Sequence, residues 1–175
     1  ADYAEFFDFN VQNGAGEAGH VVCLDPSRAN RVILCTSDAA TSVMGVISTS
    51  PAFIGGQPGP GKQLVGLVGQ LPTKVLNDLD DPIRPGDYIT STSTPGWGRK
   101  AKPGEPTLGR SLEGLRQATG TVNVLINRNN NSVTVASVEQ QIKATLQAKG
   151  IEDDIASAVT SSLESLNLSQ EIKTE

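Results

Sequence analysis

Glycine and proline are concentrated in one part of this chain, and their placement limits the possible folds more than any other feature. Seventeen of the 18 glycines and all ten prolines fall before residue 131. Proline fixes φ and removes an amide donor, while glycine admits φ values closed to other residues, so each cluster marks a turn. Such clusters lie at Gly55 to Gly61 (GGQPGPG), Pro82 to Asp87 (PIRPGD) and Pro95 to Gly98 (PGWG). Between and around them sit β-branched or apolar runs of strand length: Val21 to Leu24, Val32 to Cys35, Val43 to Ile47, Tyr88 to Thr90 and Thr121 to Asn127. From Leu64 to Val75 the residues Val65, Leu67, Leu71, Thr73 and Val75 alternate onto one face, with Gly69 at the matching position. No helix of ordinary length fits between most of these runs, which argues against a parallel α/β sheet. The expected fold is mainly β, a compact barrel- or sandwich-like domain of short strands spanning 1–127.

The remainder has the opposite character. Residues 131–175 contain no proline and no aromatic residue, with three lysines against seven acids. Val138, Ile142 and Leu146 recur every four residues, and Gly150 stands where a helix C-cap glycine belongs. Ile151, Ile155, Val159, Leu163 and Leu166 form a second stripe, with Glu152, Asp153 and Asp154 in its first turn, where a helix dipole favours acids. The pattern predicts a linker at 128–136 and a C-terminal α-helical extension at 137–175, with helices at about 137–149 and 152–166. Both stripes are narrow, so these helices need a partner surface, either the β body or copies of themselves.

Charge and hydropathy exclude whole classes of function. A net charge of −5 argues against a nucleic-acid partner, since phosphate attraction needs clustered Lys and Arg. No stretch approaches the ~20 apolar residues of a membrane span, and no signal peptide stands at the N-terminus, so no membrane partner is expected. His20 is the single histidine, which leaves no histidine-based metal cluster and no cofactor in view.

Three motif matches lack their structural context. Gly14 to Gly19 spells GxGxxG, but a strand follows where a dinucleotide site needs a helix. Gly56 to Lys62 spells GxxxxGK, yet Gln63 stands where Ser or Thr should hold magnesium. There, Pro58 and Pro60 also remove amides that would cradle phosphate. Trp97 to Lys102 is a short basic patch beside an aromatic. Trp97, Tyr88, Arg99 and Lys100 are candidate ligand contacts, for instance to a sugar, against the preferred reading of a solvated loop. Cys23 and Cys35 flank a turn-like segment. A disulfide would close a short hairpin if the register sets them face to face; two buried free thiols is the preferred reading.

The chain opens Ala1-Asp2-Tyr3-Ala4-Glu5-Phe6-Phe7-Asp8-Phe9. In a helical turn Asp2 and Glu5 would share a face, and on residues alone a capping box is the preferred reading. The sharper one is catalytic: two carboxylates among aromatic rings, one acting as base and one as acid.

This opening resembles that of autoproteolytic intramolecular chaperone domains of the glutamic-peptidase type, found at the C-termini of phage tailspikes, neck appendages and related fibre proteins. The segments Gly19 to Asp25, Met44 to Gly55 (MGVISTSPAFIG), Val65 to Val75 and Ile83 to Ser91 are similar to the family's later strands, so the resemblance covers about residues 1–127. It implies a domain that helps a longer fibre chain fold and trimerise, then cuts that chain between Ala1 and Asp2. Glu5 would be the general base, activating water or the Asp2 carboxylate. A cut that requires the assembled trimer would report completed folding. The implied partners are further copies of the chain, an upstream fibre segment and a cell-surface receptor. The implied location is a virion fibre or spike, or an extracellular or cell surface. Against this self-cleaving reading stand a non-enzymatic structural or receptor-binding module and a carbohydrate-binding β domain using Trp97 and Tyr88.

Overall fold

A computed structural model describes residues 1–127, 142–145, 147, 150, 157 and 161. The chain divides into two compact units, Ala1–Ser132 and Val133–Glu175. In the second unit residues 142–145, 147, 157 and 161 are helical, and Gly150 takes φ +65° with its amide on the Gln147 carbonyl. The rest of the two expected tail helices, and the linker at 128–136, lie outside the described residues.

The first unit is mainly β, with ten strands: β1 Asp2–Asn10, β2 Val21–Leu24, β3 Arg31–Leu34, β4 Val43–Ile47, β5 Phe53–Gly55, β6 Lys62–Leu76, β7 Tyr88–Ser91, β8 Gly98–Lys100, β9 Gly109–Ser111 and β10 Thr119–Ile126. Their pairings close two rings. One runs β6, β4, β2, β3, β1 and back to β6; the other runs β6, β8, β7, β9, β10 and back to β6. β5 adds to β1 in parallel. The long strand β6 is therefore common to both rings, and a ring leaves no open edge. β1 pairs antiparallel with Lys62 to Gly69, and β10 with Gly69 to Leu76. The changeover falls at Gly69, whose φ of +107° admits few other residues.

Each ring has its own core. Val22, Val32, Leu34, Met44, Ile47 and Val65 form one, with Phe7 and Phe9 packed against it. Leu71, Val75, Ile89, Leu108, Val122, Val124 and Ile126 form the other, joined by Val21, Cys23 and Val46. Successive residues of β2 and β4 thus serve different cores, which explains why these strands read as unbroken apolar runs and not as alternation.

Two expectations change here. Residues 2–10 form a strand and not a helical turn, so no capping box exists. Cys23 and Cys35 are joined in a disulfide with Cα atoms 5.0 Å apart, in place of the free thiols preferred from sequence. The β2–β3 register accounts for it: Cys35 donates its amide to the Val21 carbonyl, and Val21 and Cys23 share a face of β2. The bridge spans a sequence separation of 12. Cys23→Ala with Cys35→Ala is expected to lower the unfolding free energy by about 2–3 kcal/mol. Urea midpoints for the double variant and the oxidised wild type would measure the loss.

The β2–β3 turn is tied to the end of β1 by one carboxylate. Asp25 accepts the Ser27 hydroxyl at 2.7 Å, the Ser27 amide at 2.9 Å, Asn10 Nδ2 at 2.7 Å and Arg31 Nε at 2.7 Å. These bonds, that from Ser27 foremost, hold its pKa far below the usual carboxylate value. A group with a depressed folded pKa contributes stability above its unfolded pKa and loses it as pH falls through the folded value. Stability should therefore fall on acidification below about pH 4. Asp25→Asn should start less stable and show a flatter decline over that window, measured by thermal midpoint against pH.

Candidate processing cleft at the start of strand 1

The Ala1–Asp2 peptide and the one after it are each held at the carbonyl. The Ala1 carbonyl accepts the Gln70 amide at 3.3 Å, and the Asp2 carbonyl accepts the Ala52 amide at 3.0 Å. Gly69 makes this approach feasible, since a Cβ there would overlap the Ala1 oxygen and lie 2.7 Å from the Asp2 Cα. Asp2 faces inward with Ala4 and is 92% buried, and the Ser48 hydroxyl donates to its Oδ2 at 2.8 Å. Ala1, Asp2, Ser48, Gln70 and Thr121 help to line a cleft of about 520 Å³.

Glu5 is elsewhere. In a strand, residues three apart face opposite sides, and Glu5 lies about 10 Å along β1 from Asp2. It shares the outer face with Tyr3, whose hydroxyl donates to Glu5 Oε1 at 2.6 Å. That bond is the main reason the Tyr3 phenol pKa is raised. Gly55 of β5 lies against the pair: a Cβ there would overlap the Tyr3 hydroxyl and come within 2.6 Å of Glu5 Cγ. Within one chain the structure therefore brings Asp2 and the Ala1–Asp2 bond together and leaves Glu5 apart from both.

The candidate ligand contacts are dispersed or already engaged. Residues 98–100 form β8 instead of a solvated loop. All five N–H donors of Arg99 are used, on Asp38, Glu105 and the Lys100 carbonyl. These partners, Asp38 first, raise its pKa further. Lys100 Nζ donates to Asp81 at 2.7 Å and lies 3.1 Å from Asp87. Tyr88 is covered by Arg110, whose guanidinium lies 4.3 Å above the ring. Trp97 and Tyr88 stand at opposite ends of the β7–β8 hairpin, so they make no joint platform. Among the described residues, no group of three or more His, Cys, Asp or Glu is placed to hold a metal ion.

Sequence reasoning gave no role to Ser48, Gln70 or Gly69. Ser48 sits in the Met44 to Gly55 segment and Gly69 interrupts an alternating face, but each acquires meaning only from pairing with a residue at least 46 positions away.

No family model matches the sequence, and no curated protein matches it. Solved structures do. The chain is similar to the C-terminal fragment of bacteriophage phi29 gene product 12, with a TM-score of 0.50 and 15% identity, over 72% of this chain and 100% of the fragment. It is similar in the same degree, TM-score 0.50 and 15% identity, to the pre-mature bacteriophage phi29 gene product 12, over 73% of this chain and 21% of that one. At this identity the likeness is one of fold: the protein has the fold of a phage gene product's C-terminal fragment.

Proposed function

We propose that this chain is the folding and trimerisation domain at the C-terminal end of a longer fibre or surface protein of a virion, released by a cut between Ala1 and Asp2. The observation that carries the reading is the anchored Ala1–Asp2 peptide. A backbone N–H directed at the Ala1 oxygen polarises that carbonyl and stands where charge would gather during attack. A buried carboxylate and a hydroxyl share the same cleft. The fold likeness supports the reading, because one of the two solved chains is a C-terminal fragment and the other a pre-mature protein of which this fold makes up about a fifth.

Glu5 cannot act on its own chain's bond, which begins about 13 Å away along β1. In this reading Glu5 serves the Ala1–Asp2 bond of a neighbouring copy, so cleavage waits for assembly. The Tyr3 hydrogen bond fixes its carboxylate for that task. The outer face around it carries exposed apolar residues, Phe53, Tyr3 and Val68, which are registered side by side across β5, β1 and β6. Such a row suits contact with another copy.

The separation of Glu5 from the bond also favours the second reading, a non-enzymatic structural or receptor-binding end. One experiment decides between them. The domain is expressed with some tens of its natural upstream residues, and the products are weighed by mass spectrometry. The first reading expects a product starting at Asp2, and an uncut but still trimeric Glu5→Gln variant by sedimentation. A wild type that assembles and stays whole overturns the first and leaves the second.

A further inference from the structure

The geometry points to Ser48 as the residue that positions the Asp2 carboxylate for the cut, with Asp2 itself as the attacking group. This rests on the processing reading above. Asp2 is a buried acid, and among the described residues its side chain has one hydrogen-bond donor, the Ser48 hydroxyl on Oδ2. Oδ1 is left for chemistry. Ser48 is itself fixed: it follows β4 directly, and its amide donates to the Leu64 carbonyl of β6 at 3.0 Å. The strand that supplies Gln70 to the Ala1 oxygen therefore also anchors the residue that holds Asp2. Carboxylate, carbonyl and amide donor are thus referred to one rigid element, as a near-attack arrangement needs.

The step balances without any cofactor. Asp2 Oδ1 attacks the Ala1 carbonyl carbon, closing a six-membered ring with the charge on the Ala1 oxygen facing the Gln70 amide. The C–N bond breaks, and the nitrogen leaves as the α-amine of Asp2 after taking a proton from water. The acyl group of Ala1 is then held on the Asp2 side chain as an anhydride. That water is held by Glu5 of the neighbouring copy; its hydroxide opens the anhydride, restoring the Asp2 carboxylate and freeing the Ala1 carboxylic acid, whose proton passes to the amine. The sum is one peptide bond and one water converted to a carboxylate and an ammonium. Ser48 forms no bond to the acyl group in this sequence; it limits the rotation of the Asp2 carboxylate.

The test uses the domain with its natural upstream residues, in which cleavage by wild type is the condition of the parent reading. Ser48→Ala is expected to slow cleavage by up to ~100-fold, and Ser48→Thr, which restores a hydroxyl, to stay within a few-fold of wild type. Both should keep the wild-type thermal midpoint and oligomeric state. Hydroxylamine present during the reaction should appear as a hydroxamate on the upstream fragment, trapped from the anhydride. Ser48→Ala cutting at the wild-type rate overturns the inference and leaves the processing reading standing. So does equal slowing in the Thr variant, or an upstream fragment that carries carboxylate alone. A wild type that never cuts overturns both.

Discussion

Replacing Gly109 by alanine is expected to destabilise the protein by roughly 3–5 kcal/mol, and Gly45 by alanine to do the same. The two glycines sit one on each ring. A Cβ at Gly109 would overlap the Leu125 carbonyl oxygen and lie 2.9 Å from its carbon, on the strand that β9 must pair with. A Cβ at Gly45 would overlap the Gly66 carbonyl oxygen and lie 2.8 Å from a Val65 methyl, where β4 meets β6. Non-bonded carbon contacts are comfortable at about 3.5–4.0 Å, and in both places the obstacle includes backbone, which cannot rotate away. The strands must separate, so overpacking is joined by lost ladder hydrogen bonds. Gly61→Ala is the control. Its φ is +70° and nothing lies within 4 Å, so only conformational strain of about 1–2 kcal/mol is expected. Urea unfolding of the three variants measures the contrast. Equal losses at Gly109 and Gly61 would contradict the ring closures described for β9 and β10.

Asn77→Ala is expected to cost about 3–4 kcal/mol. Asn77 follows β6 and is 92% buried. Its Nδ2 donates to the Leu115 carbonyl at 3.0 Å and the Gln117 carbonyl at 2.9 Å, and its Oδ1 accepts the Ile83 amide at 2.8 Å. It thereby stands in for a strand between two loops that have no ladder of their own. Removing it leaves the Ile83 amide, on a residue only 2% exposed, without that acceptor. Asn77→Asp keeps the acceptor for Ile83 but sets a carboxylate oxygen against the Leu115 and Gln117 carbonyls in a buried site, so at neutral pH its loss should be at least as large as that of Asn77→Ala. Thermal and urea midpoints would rank the pair. A clearly smaller loss in the Asp variant would mean that the two donated bonds are not what the site depends on.

Much of the β body is legible in the residues. β2 and β4 fall at Val21–Leu24 and Val43–Ile47, the bounds that their apolar and β-branched runs indicate, and β6 extends its alternating segment by two residues at its start and one at its end. Three-residue strands are not legible: β5, β8 and β9 are too short to show a period, and their neighbours' register makes them strands. β1 is the instructive case. Asp2, Tyr3, Ala4 and Glu5 fit a helical i,i+3 pair, but they equally fit period two, with Asp2 and Ala4 inward and Tyr3 and Glu5 outward. Long-range pairing with β6 decides for the strand, and that decision separates the two carboxylates. The disulfide failed to show for the same reason, since register and not spacing sets which cysteines meet.

Asp2, where the body's first strand starts, and Ile126, where its last one ends, are both registered on Gly69. The polypeptide thus leaves the body where it entered it. Tension applied between residues 2 and 126 would fall on the two pairings with Gly69, the points from which each ring would unzip. The same closeness makes the body a natural circle: a short bridge from residue 126 to residue 2 would join the ends, and new termini could be opened in a distant turn such as Pro58 to Gly61.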